Sequence, residues 1–193
     1  MRGWRALAAV ALALPGLCGA AAAELQRSPG ETAERFAERV LGIAHVNALE
    51  TVWNEAPAIF ADYSRPNGPD DVDHRLVLLR KMPDGFYRKI DVTVGEEEGG
   101  EARIAAIGFA NADRDPAQEL IVILAWPTEH YDVSGTFYEV RVFDDAGAPL
   151  ALLKSVSAHF GSACDCTWRD GHSKHFRFKT IAAVKAELKR MGF

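Results

Sequence analysis

The segment ELIVILAW, residues 119–126, constrains the fold of this chain more than any other feature. The run from Leu120 to Trp126 is apolar without alternation, so an extended backbone there would present a hydrophobic side chain on both of its faces. That pattern is typical of a strand that is covered on both sides. The sequence therefore predicts a central strand at this position.

Further segments are rich in β-branched and aromatic residues, and turn residues separate them. The predicted strands besides 119–126 are 74–81, 85–94, 102–110, 136–144 and 150–156. The predicted turns are Pro83–Gly85, Gly99–Gly100, 111–118, Ser134–Gly135 and Asp144–Pro149. These short connections predict a mostly antiparallel sheet of about six strands. The segment 47–60 is ambiguous between helix and strand.

Helical signals lie on either side of the strands. Near the amino terminus, Ser28 and Glu31 have the spacing of a capping box, and apolar residues of 33–44 fall on one helical face. Near the carboxyl terminus, Thr180 is a candidate N-cap, a stripe of apolar residues follows, and Gly192 ends it. A helix, many antiparallel strands and a final helix predict the α+β class.

The first 23 residues have the pattern of a secretory signal. Two arginines precede a short apolar run at 6–14, and small residues at 21–23 suit cleavage. The apolar run is too short to span a membrane. We therefore expect a signal peptide over 1–23 and a single exported α+β domain over 24–193.

Composition restricts where the chain goes and what it binds. Leu17, directly before Cys18, is not the small residue of a lipoprotein signal, so the pattern favours a soluble exported protein, periplasmic or extracellular. The formal charge of −5 becomes more negative when the leader arginines are removed. A mildly acidic domain is a poor candidate for nucleic-acid binding, and no other long apolar run suggests a stable membrane span.

The stretch FANADRDPAQELIVILAW, residues 109–126, carries oxygen-bearing side chains at alternate positions. Calcium takes six to eight hard oxygen ligands, and in a short loop every second side chain can converge on one ion. The predicted ligands are the side chains of Asn111, Asp113, Asp115 and Glu119 with the carbonyl of Ala117.

The stretch resembles the D-x-D-x-D-G-x-x-[DE] loops of FG-GAP and VCBS-type extracellular repeats, which run into a hydrophobic strand. The resemblance implies that this loop binds calcium, and it covers residues 109–126 only. This chain departs from the pattern at two positions: Asn111 is a neutral ligand, and Pro116, whose φ is fixed, stands where those loops have glycine. The alternative is a polar turn whose side chains accept backbone N–H bonds.

A second cluster lies in residues 159–176. Its members are thiol and imidazole side chains, which bind zinc and copper: His159, Cys164, Cys166, His172 and His175. The alternative is a disulfide between the two cysteines across a tight bend, with the histidines facing solvent. Redox exchange and intermolecular pairing of the thiols also remain open.

The connection at 127–136 is polar, aromatic and long for a hairpin, so it is a candidate binding loop. The motif S-G-x-x-Y that begins at Ser134 resembles the short loop of bacterial periplasmic lysozyme inhibitors. That resemblance implies that Ser134 and Tyr138 contact lysozyme. The alternative is a turn followed by a strand tyrosine.

The sequence contains no nucleophile elbow, no zinc-protease helix motif and no phosphate loop. We therefore predict a non-enzymatic exported domain that binds an unknown protein or small ligand through 127–136 and is stiffened by calcium or a disulfide. The alternatives are a metal or redox protein that uses Cys164 and Cys166, and a lysozyme-inhibitor-like module.

Overall fold

A computed structural model describes residues 25–68, 71–96 and 101–193 of the chain. The predicted signal peptide and the predicted Gly99–Gly100 turn lie outside these residues. The helices are α1 (Ala33–Leu41), α2 (Lys154–Phe160) and α3 (Ile181–Met191). The strands are β1 (Asn47–Trp53), β2 (Ala56–Pro66), β3 (Val72–Lys81), β4 (Tyr87–Gly95), β5 (Arg103–Ala110), β6 (Glu119–Glu129), β7 (Val133–Gly147), β8 (Leu150–Leu152), β9 (Ser162–Trp168) and β10 (Ser173–Lys174).

The α+β class and the helices at either end of the strand region are confirmed, and the strands divide into two antiparallel sheets. One sheet has the order β1-β2-β3-β4, and the other has the order β10-β9-β7-β6-β5 with β8 beside β7. The ambiguous segment 47–60 forms the hairpin of β1 and β2. Its two turn residues, Asn54 and Glu55, have φ of 45° and 64°. Positive φ at both positions is what a two-residue type I′ turn requires.

The two sheets pack face to face, and alternate residues of strands such as β2, β3, β4 and β6 form the core between them. Leu76 and Leu78 of β3 meet Leu120, Val122 and Leu124 of β6 in this inner core. The alternate side chains of β6, Ile121 and Ile123, pack in a second core on the opposite face of the same sheet. The prediction of a central strand at 119–126 is confirmed, because β6 lies between β5 and β7 and is covered on both faces.

Helices cover the outer faces of both sheets. Phe36 of α1 packs on the four-stranded sheet, where its ring lies 4.8 Å from that of Tyr87. Residues of α2 and α3, including Phe160 and Leu188, pack on the six-stranded sheet. The result is a four-layer sandwich with a helical layer outside each sheet.

The C-terminal helix begins and ends as predicted, with Thr180 as N-cap and Gly192 as C-cap. The N-terminal helix starts later than predicted, because the side chain of Thr32 caps it by accepting the N–H of Arg35. Ser28 and Glu31 do pair reciprocally, but they form a turn ahead of the helix.

The predicted strand over 150–156 is shorter than expected. Strand β8 ends at Leu152, and helix α2 begins at Lys154. Val156 and Phe160 lie one helical turn apart, and both are buried against the six-stranded sheet. Burial of this pair explains why the apolar run changes from strand to helix.

Candidate functional site

The loop between β5 and β6 brings its carboxylates together. Oxygen atoms of Asp113, Asp115 and Glu119 all lie within 4.8 Å of one another. Within residues 25–68, 71–96 and 101–193 this is the one group of three or more acidic, histidine or cysteine side chains close enough to share an ion. Asp115 is exposed, Asp113 is half-buried and Glu119 is buried. The group therefore has a solvent-facing side and a buried floor.

Glu119 forms the floor and is 0% exposed. Its Oε2 accepts the backbone N–H of Ala112, whereas its Oε1 is buried without a hydrogen-bond partner. Burial raises the pKa of this carboxyl, and the charges of Asp113 and Asp115 raise it further against the opposing effect of the Ala112 bond. An ionised carboxylate in this position is costly unless a cation neutralises it.

Asn111 supplies a second oxygen of the same kind. Its amide nitrogen donates to the carbonyl of Asp115 at 2.6 Å, and its Oδ1 is buried without a partner. Buried polar atoms in folded proteins are nearly always hydrogen-bonded, so each exception requires an explanation such as a bound ion. Two such oxygens, on Asn111 and Glu119, belong to this one loop.

The backbone of the loop explains how Pro116 is accommodated. Asp113 Oδ1 accepts the N–H of Asp115 at 2.8 Å, and Asp115 Oδ1 accepts the N–H of Ala117 at 2.7 Å. No residue of this fully described loop has a positive φ, so the glycine of the FG-GAP pattern is not needed here. These are bonds that the polar-turn alternative expects, and they occupy one oxygen of each aspartate. The carbonyl of Ala117 as a ligand stays a prediction.

The loop is also bonded to the opposite sheet. The carbonyl of Gln118 accepts the indole N–H of Trp53 at 2.7 Å and the side-chain N–H of Asn54 at 3.0 Å. The N–H of Gln118 in turn donates to Asn54 Oδ1 at 3.0 Å. Trp53 and Asn54 belong to the β1–β2 hairpin, so the loop joins the edge of the four-stranded sheet to the six-stranded one.

Cys164 and Cys166 form a disulfide on β9, with their Cα atoms 5.3 Å apart. Residues two apart on a strand share a face, which brings the two sulfur atoms together. The residue opposite Cys166 on β7 is Gly135. A Cβ atom at Gly135 would lie 2.7 Å from Cys166 Sγ and 2.4 Å from the carbonyl oxygen of Asp165, so only glycine fits there.

The three histidines do not assemble around the cysteines. Each pairs with a different carboxylate: His159 with Glu187, His172 with Asp170 and His175 with Asp165. The ring of His172 also stacks on Trp168 with 4.3 Å between centroids. Among the described residues, the ligand atoms of the predicted Cys/His set do not come close enough to share an ion.

Ser134 and Tyr138 lie within β7 and not in a loop, so the predicted turn at Ser134–Gly135 is wrong. The strand is paired on both sides, with Ser134 opposite Glu129 of β6 and Thr167 of β9. The ring of Tyr138 stacks on that of Phe176, with 6.1 Å between their centroids, beside the second core, on the helix-covered face of the six-stranded sheet. These two side chains are therefore embedded in a sheet, and inhibition of lysozyme through them stays a prediction.

The candidate binding loop over 127–136 is mostly strand as well. Strand β6 ends at Glu129 and β7 begins at Val133, which leaves 130–132 as the connection. Tyr131 at its tip is 88% exposed. The carbonyl of Asp132 accepts the N–H of Arg169, which joins this tip to that of the β9–β10 hairpin. Partner binding at this paired tip stays a prediction.

A polar network at the end of the sandwich could not be predicted from the sequence. Ser64 Oγ donates to Glu101 Oε1 at 2.6 Å and lies 3.2 Å from His74 Nδ1. The other ring nitrogen of His74 lies 3.0 Å from Asp62 Oδ2. Ser64 and His74 are cross-strand partners on β2 and β3, so only the strand register brings them together, and no spacing in the sequence indicates it.

Comparison with protein families, with curated proteins and with solved structures finds no match for this chain. The resemblance of residues 109–126 to FG-GAP and VCBS-type loops accordingly stays a prediction. Among the described residues, no helix is both long and apolar enough to cross a membrane.

Proposed function

We propose that this protein is an exported, non-enzymatic domain that binds one calcium ion in the loop from Asn111 to Glu119. The observation that carries the proposal is the carboxylate of Glu119, which is fully buried, has one oxygen without a partner and lies beside two other acidic side chains. A divalent cation bound to these three carboxylates would neutralise their mutual repulsion and supply the missing partner.

The donor set determines the class of ion. Every candidate side-chain ligand is an oxygen, from three carboxylates and the amide of Asn111. Hard oxygen ligands select calcium, magnesium or manganese over zinc and copper. Calcium tolerates the flexible geometry of a surface loop, whereas magnesium demands near-ideal octahedral coordination. We therefore assign the site to calcium.

The ion's role follows from the position of the loop. Gln118 lies within the loop and is hydrogen-bonded to Trp53 and Asn54 of the opposite sheet. An ion that fixes the loop would therefore also fix the contact between the sheets. The leader-like first 23 residues and the Cys164–Cys166 disulfide support export, because disulfides persist in oxidising compartments.

Isothermal titration of chelator-treated protein with calcium tests the proposal. The wild type should bind one ion per chain, and magnesium should bind more weakly. Glu119→Gln should lower the affinity at least tenfold, since it removes the charge at the floor of the site.

Asp84→Asn is the matched control. Asp84 lies in the β3–β4 turn, where its Oδ1 accepts the N–H of Phe86 at 3.0 Å, the same local bond that Asp113 makes. This variant removes one carboxylate charge from a turn and should leave calcium affinity unchanged. Absence of calcium binding to the wild type at millimolar concentration would refute the site. Equal losses of calcium affinity in Glu119→Gln and Asp84→Asn would also refute it, because they would show that binding depends only on general surface charge.

A further inference from the structure

Two arginines face each other on the inner side of the four-stranded sheet. Arg80 of β3 and Arg88 of β4 are cross-strand partners. Each lies two residues from a side chain of the inner core, Leu78 and Ile90 respectively, so both point to the side of the six-stranded sheet, where Arg80 is half-buried and Arg88 is exposed. Directly opposed side chains on antiparallel strands are close neighbours, and like charges in this arrangement destabilise the pair.

The contacts of the two guanidinium groups leave most of their donors unused. Arg80 donates one N–H to the carbonyl of Asp145 at 3.2 Å and lies over the ring of Trp53 at 5.2 Å. The guanidinium of Arg88 makes no hydrogen bond or ion pair with the residues that the structure describes. Each guanidinium has five N–H donors in a fork that matches the oxygens of a carboxylate or phosphate.

Both arginines line the same cavity, which has a volume of about 460 Å³. Met82, Ile90, Ala146 and Ala148 supply an apolar wall, and the remaining boundary includes Asp145 and Gly147. The carboxylate of Asp145 already accepts a hydrogen bond from the side-chain amide of Asn54 at 3.1 Å. The volume falls within the range of small-molecule sites, which combine apolar walls with a few convergent polar groups.

We propose that Arg80 and Arg88 form a binding site for the oxyanion group of a small molecule, a carboxylate or phosphate with a compact apolar body against Met82 and Ile90. The anion offsets the repulsion between the two guanidinium groups and occupies the donors of Arg88. The proposed anion ligands, Arg80 and Arg88, are not among the proposed calcium ligands, so this site can be tested in metal-free protein.

The test is the change in melting temperature on adding sodium phosphate or sodium malonate to chelator-treated protein, with sodium chloride at matched ionic strength as reference. Wild-type protein should melt higher with at least one of the two oxyanions than with chloride. A larger response to phosphate assigns a phosphorylated ligand, and a larger response to malonate assigns a carboxylate. Arg88→Gln should weaken binding of the preferred anion at least tenfold, as measured by calorimetry.

Lys89→Gln is the control, because Lys89 is the exposed neighbour of Arg88 on the opposite face of β4 and carries the same charge. It should retain the anion response. Without added anion, Arg88→Gln should melt no lower than wild type, since the substitution relieves a like-charge pair. The proposal is overturned if wild type shows no response above chloride, if Lys89→Gln loses the response equally, or if Arg88→Gln keeps it.

Discussion

Glu119 and Glu187 are both buried, and their surroundings are opposite in charge. Glu119 lies beside Asp113 and Asp115, and one of its oxygens has no partner. The carboxylate of Glu187 in α3 accepts hydrogen bonds from the guanidinium groups of Arg177 and Arg190, and it also pairs with the ring of His159. Burial and neighbouring carboxylates raise the pKa of Glu119, whereas Arg190, His159 and Arg177 hold the pKa of Glu187 at about 2. Both carboxylate oxygens of Glu187 have hydrogen-bond partners within the protein, whereas Oε1 of Glu119 has none.

The difference lies in where the neighbours come from. The groups that surround Glu187 come from α2, from the segment before α3 and from α3 itself, so the carboxylate joins separate elements of the outer layer. The acidic neighbours of Glu119 come from its own loop. The contacts of Glu187 are those of a structural ion-pair network, and the like charges around Glu119 are the basis of the calcium site that we propose.

Neutralising each glutamate without changing its shape should give the largest contrast. In chelator at neutral pH, Glu187→Gln should lower the melting temperature, because the amide cannot match the charges of Arg177 and Arg190. Glu119→Gln should raise it, since the amide keeps an oxygen for the N–H of Ala112 and its new donor faces acidic oxygens. Thermal unfolding by circular dichroism measures both shifts.

The exposed carboxylate of Glu129 provides the control, and Glu129→Gln should shift the melting temperature by no more than about one degree. A fall for Glu119→Gln as large as that for Glu187→Gln would contradict the contrast.

The same contrast explains which site could be predicted from the sequence. The loop from Asn111 to Glu119 is local, so alternate spacing sufficed to predict that its side chains converge. The surroundings of Glu187 depend on α2, which the sequence did not predict, because the apolar residues of 150–156 fit a strand as well as a helix. The pairing of Arg80 with Arg88 was likewise not predictable from the sequence, because only the strand register places them opposite each other.

The overall class was predictable for a similar reason. The apolar run of β6 and the short turns predict antiparallel strands from local pattern alone. The division into two sheets was not predictable, because it depends on which strands pair. The hairpin of β1 and β2 was also hard to predict, because its turn residues, Asn54 and Glu55, include no glycine. The Ser134–Gly135 pair was misplaced as a turn, because Gly135 is required by the close approach of β9 and not by chain reversal.

The two glutamates should also respond to pH in opposite senses. The folded pKa of Glu187 is lowered, so the stability it contributes is present above its ordinary pKa and is lost as the pH falls toward about 2. The pKa of Glu119 is raised in the folded state. The metal-free protein therefore loses stability as the pH rises through this raised pKa, because Glu119 then ionises while buried. Calcium requires the ionised carboxylate, so the rise in melting temperature caused by calcium should be larger at pH 7.5 than at pH 5. Melting curves at the two pH values, with and without calcium, measure this difference. Equal calcium shifts at both pH values would show that Glu119 does not bind the ion.

The smallest expected effect separates the two roles of Asp115. Asp115→Asn keeps an oxygen that can accept the N–H of Ala117 and removes one of the charges that raise the pKa of Glu119 and of Asp145. In chelator the melting temperature should rise by roughly one degree, in keeping with a partly exposed charge interaction. With calcium present the variant should melt below wild type, because a ligand charge is lost. Asp84→Asn makes the same chemical change in a turn that has no other acidic residue within four positions along the sequence, and it should show neither effect. If Asp115→Asn instead lowers the melting temperature equally in chelator and in calcium, Asp115 acts only as a turn residue, and the contrast between the two glutamates then depends on Asp113 and Glu119 alone.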